Sequence, residues 1–254
     1  MRKKYGLALG SGGAKGIVHI GALQAFEEEK IAFDVVAGTS IGSIIGGMYA
    51  LGYTAREMIS VIEEMQLNKP KWLLSFKLKN LSLEDKLKDI LGERTFKELK
   101  VPFCAVATDI DTGEEVDISS GDLCKAMSAS SAIPPAFKPI IYDGKRLIDG
   151  AFKNSIPSNV CKNMGANFIL GIDLSPENPM NYSALKVLNT IYKSNKIEKC
   201  SRSYNGYKYA DIILAPDLRK FNMLGVWKTK DLFDIGYSLV KDNVSFIKQK
   251  LKLS

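Results

Sequence analysis

Short apolar strand patterns alternate with helical ones along most of this chain, and that alternation limits its folds more than any other feature. Strand patterns lie near 5–9 (YGLAL), 34–37 (DVVA), 101–107 (VPFCAVA), 114–118 (EEVDI), 138–148, 168–173 (FILGID) and 211–214 (DIIL). Helical periodicity marks 16–30, 40–51, 54–66, 82–91, 121–131, 156–164, 183–200 and 229–251. Ser82 followed by Asp85 predicts a capping box, and Gly165 after Met164 predicts a helix stop. Together these patterns predict an α/β fold, a three-layer α/β/α arrangement around a mostly parallel central sheet. The chain has 254 residues, no repeat and no linker rich in Gly, Ser or Pro, so one domain over 1–254 is expected.

Composition narrows the chemistry. Four widely scattered cysteines and a single histidine argue against a zinc site and a disulfide framework, and fit a reducing cytosol. No window approaches about 18 uncharged apolar residues, so no membrane-spanning segment is expected. The basic N-terminus "MRKKYGLALGSGGAKG" starts like a signal peptide, but glycines and Lys15 interrupt its apolar run. A formal charge of +7 suits an anionic partner, a phospholipid surface or nucleic acid, and equally suits a solvated surface.

Three stretches carry chemistry. The first is "VVAGTSIGSII" at 35–45, where a β-branched run stops at Gly38 and Ser40 stands with Gly38 and Gly42 two positions to either side. Between a strand and a helix, G-x-S-x-G reads as a nucleophile elbow, with glycines clearing room at a sharp turn; the alternative is a plain glycine-rich turn. The second is "LALGSGGAKGIVHIGAL", a strand followed by a loop from Gly10 to Gly16 and then a helix. Its backbone N–H groups suit an anion, either a nucleotide phosphate or an oxyanion. The order of a phosphate-binding P-loop is missing, and a dinucleotide fingerprint would need glycine where Ser11 stands. The third is "RLIDGAFKNSIP" at 146–157, in which Asp149 ends a strand pattern. An Asp-Gly step is most often a turn, but a carboxylate near a serine also serves as a general base. His19 is the sole imidazole, placed one turn into the helix after Gly16, with core packing the simpler role for it. Without it, Asp149 would have to take the serine proton directly, as a poorly solvated carboxylate.

Taken together, these stretches resemble the patatin-like phospholipase family, in its bacterial branch related to the catalytic domain of neuropathy target esterase. The resemblance rests on "GSGGAKG" at 10–16, "GTSIG" at 38–42 and "DGA" at 149–151, with "VPFCAVATDIDTGE" and "SASSAIPPAFKPI" between them. It covers about 5–175; the helical part from about 176 to 254 is less distinctive. It implies a cytoplasmic hydrolase of lipid metabolism, cleaving lipid esters through a Ser-Asp dyad with no cofactor and no metal. Ser40 would be the nucleophile, Asp149 the base, and the Gly12 and Gly13 N–H groups the oxyanion hole. Gly10, Ser11, Lys15, Gly16, Gly38, Gly42, Gly150 and Ala151 would support them. Ser11 departs from the glycine usual in that loop. A non-catalytic lipid-binding protein on the same fold and a nucleotide binder are the alternatives.

A lipid substrate requires a docking surface. "KPKWLLSFKLKN" at 69–80 interleaves lysines with apolar residues; Lys71, Trp72, Leu73 and Phe76 would make an interfacial foot on an anionic membrane, or else an ordinary loop covering the core. "VSFIKQKLKLS" at the C-terminus is similarly basic and amphipathic. No nucleic-acid motif accompanies the lysines and tyrosines of 191–211, so no nucleic-acid partner is expected.

Overall fold

The computed structural model describes residues 3–65, 82–175, 204–221 and 229–252. In chain order its elements are β1 (Tyr5–Leu9), α1 (Ile17–Glu28), β2 (Val35–Thr39), α2 (Ile41–Leu51), α3 (Ala55–Met65), α4 (Leu83–Leu91), β3 (Phe103–Asp109), β4 (Glu115–Ile118) and α5 (Leu123–Ser130). They continue with β5 (Ile140–Tyr142), β6 (Lys145–Asp149), α6 (Ser158–Asn163), β7 (Phe168–Ile172), α7 (Tyr204–Tyr209), β8 (Ile212–Leu214), α8 (Thr229–Lys241) and α9 (Val244–Leu251). The expected helix at 183–200 and the 69–80 segment with Lys71, Trp72, Leu73 and Phe76 lie outside the described residues.

Strand side chains alternate between two apolar cores, as a doubly covered sheet requires. Leu7 and Leu9 of β1, Val36 of β2, Phe103 of β3 and Leu170 of β7 face the larger core, which α1 to α5, α8 and α9 cover. Ala8, Val35, Ala37, Cys104 and Ile169 face a smaller one closed by Val160 and Cys161 of α6. The layers are therefore α/β/α, as expected.

Five parallel strands, in the order β3-β2-β1-β7-β8, form the sheet's centre, and β4, β5 and β6 add antiparallel pairings at the β3 side. The chain moves outward from β1 to β2 and later returns to β1's other edge as β7, so the loop after β1 lies where the winding reverses. Such a point at the carboxyl ends of parallel strands is where an open sheet of this kind has its crevice.

The register around β3 is decisive for the site. β2 pairs with it as far as Thr39↔Val106, and β6 pairs with it as far as Ala107↔Asp149. β4 lies opposite both Val106 and Ala107 and so occupies the other edge. β2 and β6 therefore share one edge of β3 and run into each other head-on, one stopping at Thr39 and the other at Asp149.

Two predicted elements differ from expectation, and the short helix α7 was not predicted. The run 138–148 is not one strand but the hairpin β5–β6, turned at Asp143-Gly144 with φ values of 47° and 77°. An Asp-Gly pair with both residues left-handed is the two-residue turn that matches strand twist, and the apolar residues around it masked the signal. The run 229–251 splits into α8 and α9 at Asn243, whose carbonyl starts the next helix by accepting from Ile247 N–H at 2.9 Å. The Ser82/Asp85 capping box and the Gly165 stop, with φ of 90°, are present.

The tail braces the helix that follows the glycine-rich loop. At the crossing of α8 over α1, a Cβ on Gly236 would fall 1.9 Å from the Val18 carbonyl oxygen, and one on Gly21 would fall 2.1 Å from that of Phe233. The backbones approach too closely for any side chain there. The end of α9 is fixed at the opposite, amino-terminal end of the parallel strands, where Tyr5 Oη donates to the Leu251 carbonyl at 2.8 Å. The basic C-terminal helix thus sits by the first residue of β1, away from the crevice. Gly236→Ala should lower stability by about 2–3 kcal/mol through overpacking against a backbone that cannot yield, read as an earlier urea-unfolding midpoint.

Candidate active site

Ser40 is the one residue between the end of β2 and the start of α2. Its backbone has φ 57° and ψ −127°, a region L-residues avoid, so it is held by its surroundings rather than by preference. The flanking glycines explain how the corner fits. A Cβ on Gly38 would lie 2.2 Å from the Gly42 carbonyl oxygen, and one on Gly42 would lie 2.2 Å from the Leu9 carbonyl oxygen. Gly38 therefore lets the helix fold back over its own strand, while Gly42 lets that helix press on the end of β1. Ser43 stitches the first turn, its Oγ donating to the Ser40 carbonyl at 2.7 Å.

The head-on meeting of β2 and β6 delivers the carboxylate. Ser40 Oγ donates to Asp149 Oδ2 at 2.6 Å, and the other oxygen, Oδ1, accepts from Ala151 N–H at 2.8 Å. Asp149 is 1% exposed and Ser40 5%. A backbone amide is all that position 151 supplies here, so alanine serves as well as glycine. Gly150 opens the short turn Gly150–Phe152 that carries this amide around.

The same turn reaches the other side of the crevice. Asn154's carbonyl accepts from Thr39 Oγ1 at 2.9 Å. Ser155's carbonyl accepts from Ser11 N–H at 3.0 Å, and the two serine hydroxyls share a hydrogen bond of 2.6 Å. Gly10 N–H donates to Ile172 at the end of β7 at 3.0 Å. After those anchors the chain enters the tight turn Gly13–Gly16, with Gly13 at φ 58°. Among the described residues, the Gly12 and Gly13 N–H groups donate to no acceptor. Gly16 packs directly on the elbow, since a Cβ there would meet Ile41 Cγ1 at 2.1 Å.

Comparison with known proteins identifies the family and the fold. The family model described as patatin-like phospholipase matches residues 7–161. The chain belongs to the patatin-like phospholipase family. An NTE family protein of Mycobacterium bovis is 33% identical over 183 residues, covering 68% of this chain and 49% of that protein. Neuropathy target esterase of Drosophila melanogaster is 26% identical over 275 residues, covering 93% of this chain and 19% of that protein. This chain thus spans half or less of the length of these relatives. Among solved structures, VipD from Legionella pneumophila superposes with a TM-score of 0.57 at 14% identity, covering 96% of this chain and 67% of the other. Human GIVD cytosolic phospholipase A2, in complex with methyl gamma-linolenyl fluorophosphonate, gives 0.56 at 14% identity, covering 99% and 59%. At such identities the two structures speak for the fold alone.

Three further residues shape this site. Ser11 does not disturb the loop: its hydroxyl pairs with Ser155 and its N–H remains in use. Lys15 is 5% exposed; burial lowers its pKa, and the nearby carboxylate of Asp173 partly offsets that. His19 is fully buried and bonds neither Ser40 nor Asp149; its Nε2 donates to the Gly10 carbonyl at 2.8 Å. That carbonyl can only accept, so Nε2 carries a proton; Nδ1 is buried without a partner among the described residues, and burial disfavours a second proton there, which keeps the ring neutral. His19 is a strut for the start of the loop. Sequence reasoning passed over Thr39, Ser130 and Ser155, whose small hydroxyls in buried runs such as "SASSAIPP" are indistinguishable in sequence from ordinary packing.

Burial pushes the His19 pKa down to about 4 from an ordinary 6.5. Between those values the unfolded chain holds the proton and the folded one does not, so stability falls as pH drops from 6.5 to 4. The gap corresponds to about 3 kcal/mol. Urea unfolding at pH 7 and pH 5 should show about 2 kcal/mol of this loss, and His19→Gln should remove that part of the slope.

Proposed function

We propose that this chain is a serine acyl-hydrolase that cleaves fatty-acyl esters of lipids through Ser40 and Asp149. The observation that carries the reading is the 2.6 Å bond from Ser40 Oγ to a carboxylate that is almost wholly out of water. The geometry suits direct proton transfer without an imidazole. Ser40 Oγ attacks the ester carbonyl carbon as its proton passes to Asp149. The carbonyl oxygen becomes an oxyanion, which the N–H groups of Gly12 and Gly13 stabilise, aided by the positive end of α2. Collapse expels the alcohol, which takes the proton back from Asp149. A water, deprotonated by the same carboxylate, then attacks the acyl-enzyme and frees the fatty acid and Ser40. The steps call for no metal.

The family supports an ester of lipid type, and relatives whose names include neuropathy target esterase point the same way. No described helix is long and apolar enough to cross a membrane. The chain's excess of positive charge suits peripheral, cytoplasmic contact with an anionic lipid surface.

The test is a lipid-ester panel together with p-nitrophenyl acyl esters. Ser40→Ala and Asp149→Asn should each lower kcat at least about 1,000-fold with folding intact, and a fluorophosphonate should label wild type at Ser40. Turnover surviving Ser40→Ala would reject the reading. Liposome binding without turnover would favour a lipid-binding protein, and a thermal shift with ATP or NAD would favour nucleotide binding at the loop.

A further inference from the structure

β2 donates to β3 with a two-residue period, and the bond that sets its phase is Val36 N–H to the Pro102 carbonyl, at 2.9 Å. With Val36 opposite Phe103 and Thr39 opposite Val106, the next rungs of that ladder would run from Gly38 to Cys104 and from Ser40 to Val106. The last rung is not made directly. Ser40 N–H donates instead to Ser130 Oγ at 3.0 Å, and Ser130 Oγ donates to the Val106 carbonyl at 2.6 Å. One hydroxyl from the end of α5 is spliced into the sheet between the nucleophile's amide and the carbonyl it would otherwise reach. Ser130 is completely buried, so no water takes its part.

From this geometry we infer that Ser130 is a positioning residue that holds Ser40 one hydroxyl's width off the β3 ladder, in register with Asp149. The inference rests on the acyl-hydrolase reading for its functional consequence. Without the inserted hydroxyl, Ser40 N–H and the Val106 carbonyl are complementary and face each other across a gap. Their closest relief is to bond directly. That motion would draw the corner back toward a continuing strand, relax the positive φ of Ser40 and pull its Oγ away from Asp149, whose own position is fixed by β6. The loss would fall on the attacking geometry rather than on substrate affinity. Relief of backbone strain would also return part of the stability lost with the bridge.

The experiment compares wild type, Ser40→Ala, Ser130→Ala and Ser130→Thr for fluorophosphonate labelling rate and for ester hydrolysis, with rates expressed per labelled site. Ser130→Ala should label and turn over roughly 10- to 100-fold more slowly, with KM within about twofold of wild type, and should reach full labelling in time. Ser130→Thr, which keeps the hydroxyl, should recover most of the rate. If the alanine variant does not accumulate, Ser130→Cys takes its place, similar in size but a feeble hydrogen-bonding group, with the same expected loss. Unchanged rates per labelled site in the alanine or cysteine variant would overturn the inference, as would a threonine variant no faster than they are. Either result beside an active wild type leaves the acyl-hydrolase reading standing. A wild type that neither labels nor turns over would instead remove that reading, and the positioning role with it.

Discussion

The end-to-end collision of β2 and β6 on a single edge of β3 is the constraint from which the rest of the site follows. Two strands that arrive from opposite directions and stop one register position apart must place their terminal residues side by side. Ser40 and Asp149 are those residues, and 109 positions of sequence separate them. Their contact needs no long loop to bring it about. Backbone hydrogen bonds to β3 set it, and such bonds buried in a sheet are among the least yielding parts of a fold.

The corner at Ser40 is costly, since a non-glycine residue in such a conformation loses about 1–3 kcal/mol. The surroundings offset that cost with small groups rather than large ones. Glycines remove what would collide, the Ser130 hydroxyl accepts from the Ser40 N–H, the Ser43 hydroxyl adds a bond to the Ser40 carbonyl, and the Thr39 hydroxyl ties the end of β2 to the Asn154 carbonyl. The glycine-rich loop is treated in the same way. It is tied to β7 through Gly10, to the Asp149 turn through Ser11 and to α1 through His19, and only after those ties does it present unengaged amides.

Most of the architecture could be read from the sequence, because β-branched runs and helical periods are local signals. Ser40, Asp149 and the loop were legible as well, since a sharp corner, an Asp-Gly step and a run of glycines each leave a recognisable local pattern. What escaped reading was non-local, with one exception. The Asp143-Gly144 turn was a sequence signal overridden by the apolar residues about it, which alone suggested one strand. The role of Ser130 depends on the phase of a ladder between two other strands, which no periodicity in its own segment reveals. His19 could have been base or filler until its one hydrogen bond fixed its tautomer. Ser11 looked like a weakness in the loop because its partner, Ser155, is 144 residues away.

The family's recognisable signature stops at residue 161, ahead of β7. Yet β7 lies beside β1 at the middle of the sheet, and its Ile172 carbonyl secures Gly10 at the mouth of the loop. Farther along, α8 presses its glycine against α1, the helix that bears the His19 strut. The smallest portable unit is therefore set by mechanical support rather than by motif: a piece lifted out at the border of the signature would keep both Ser40 and Asp149 and forfeit the scaffolding that aims them.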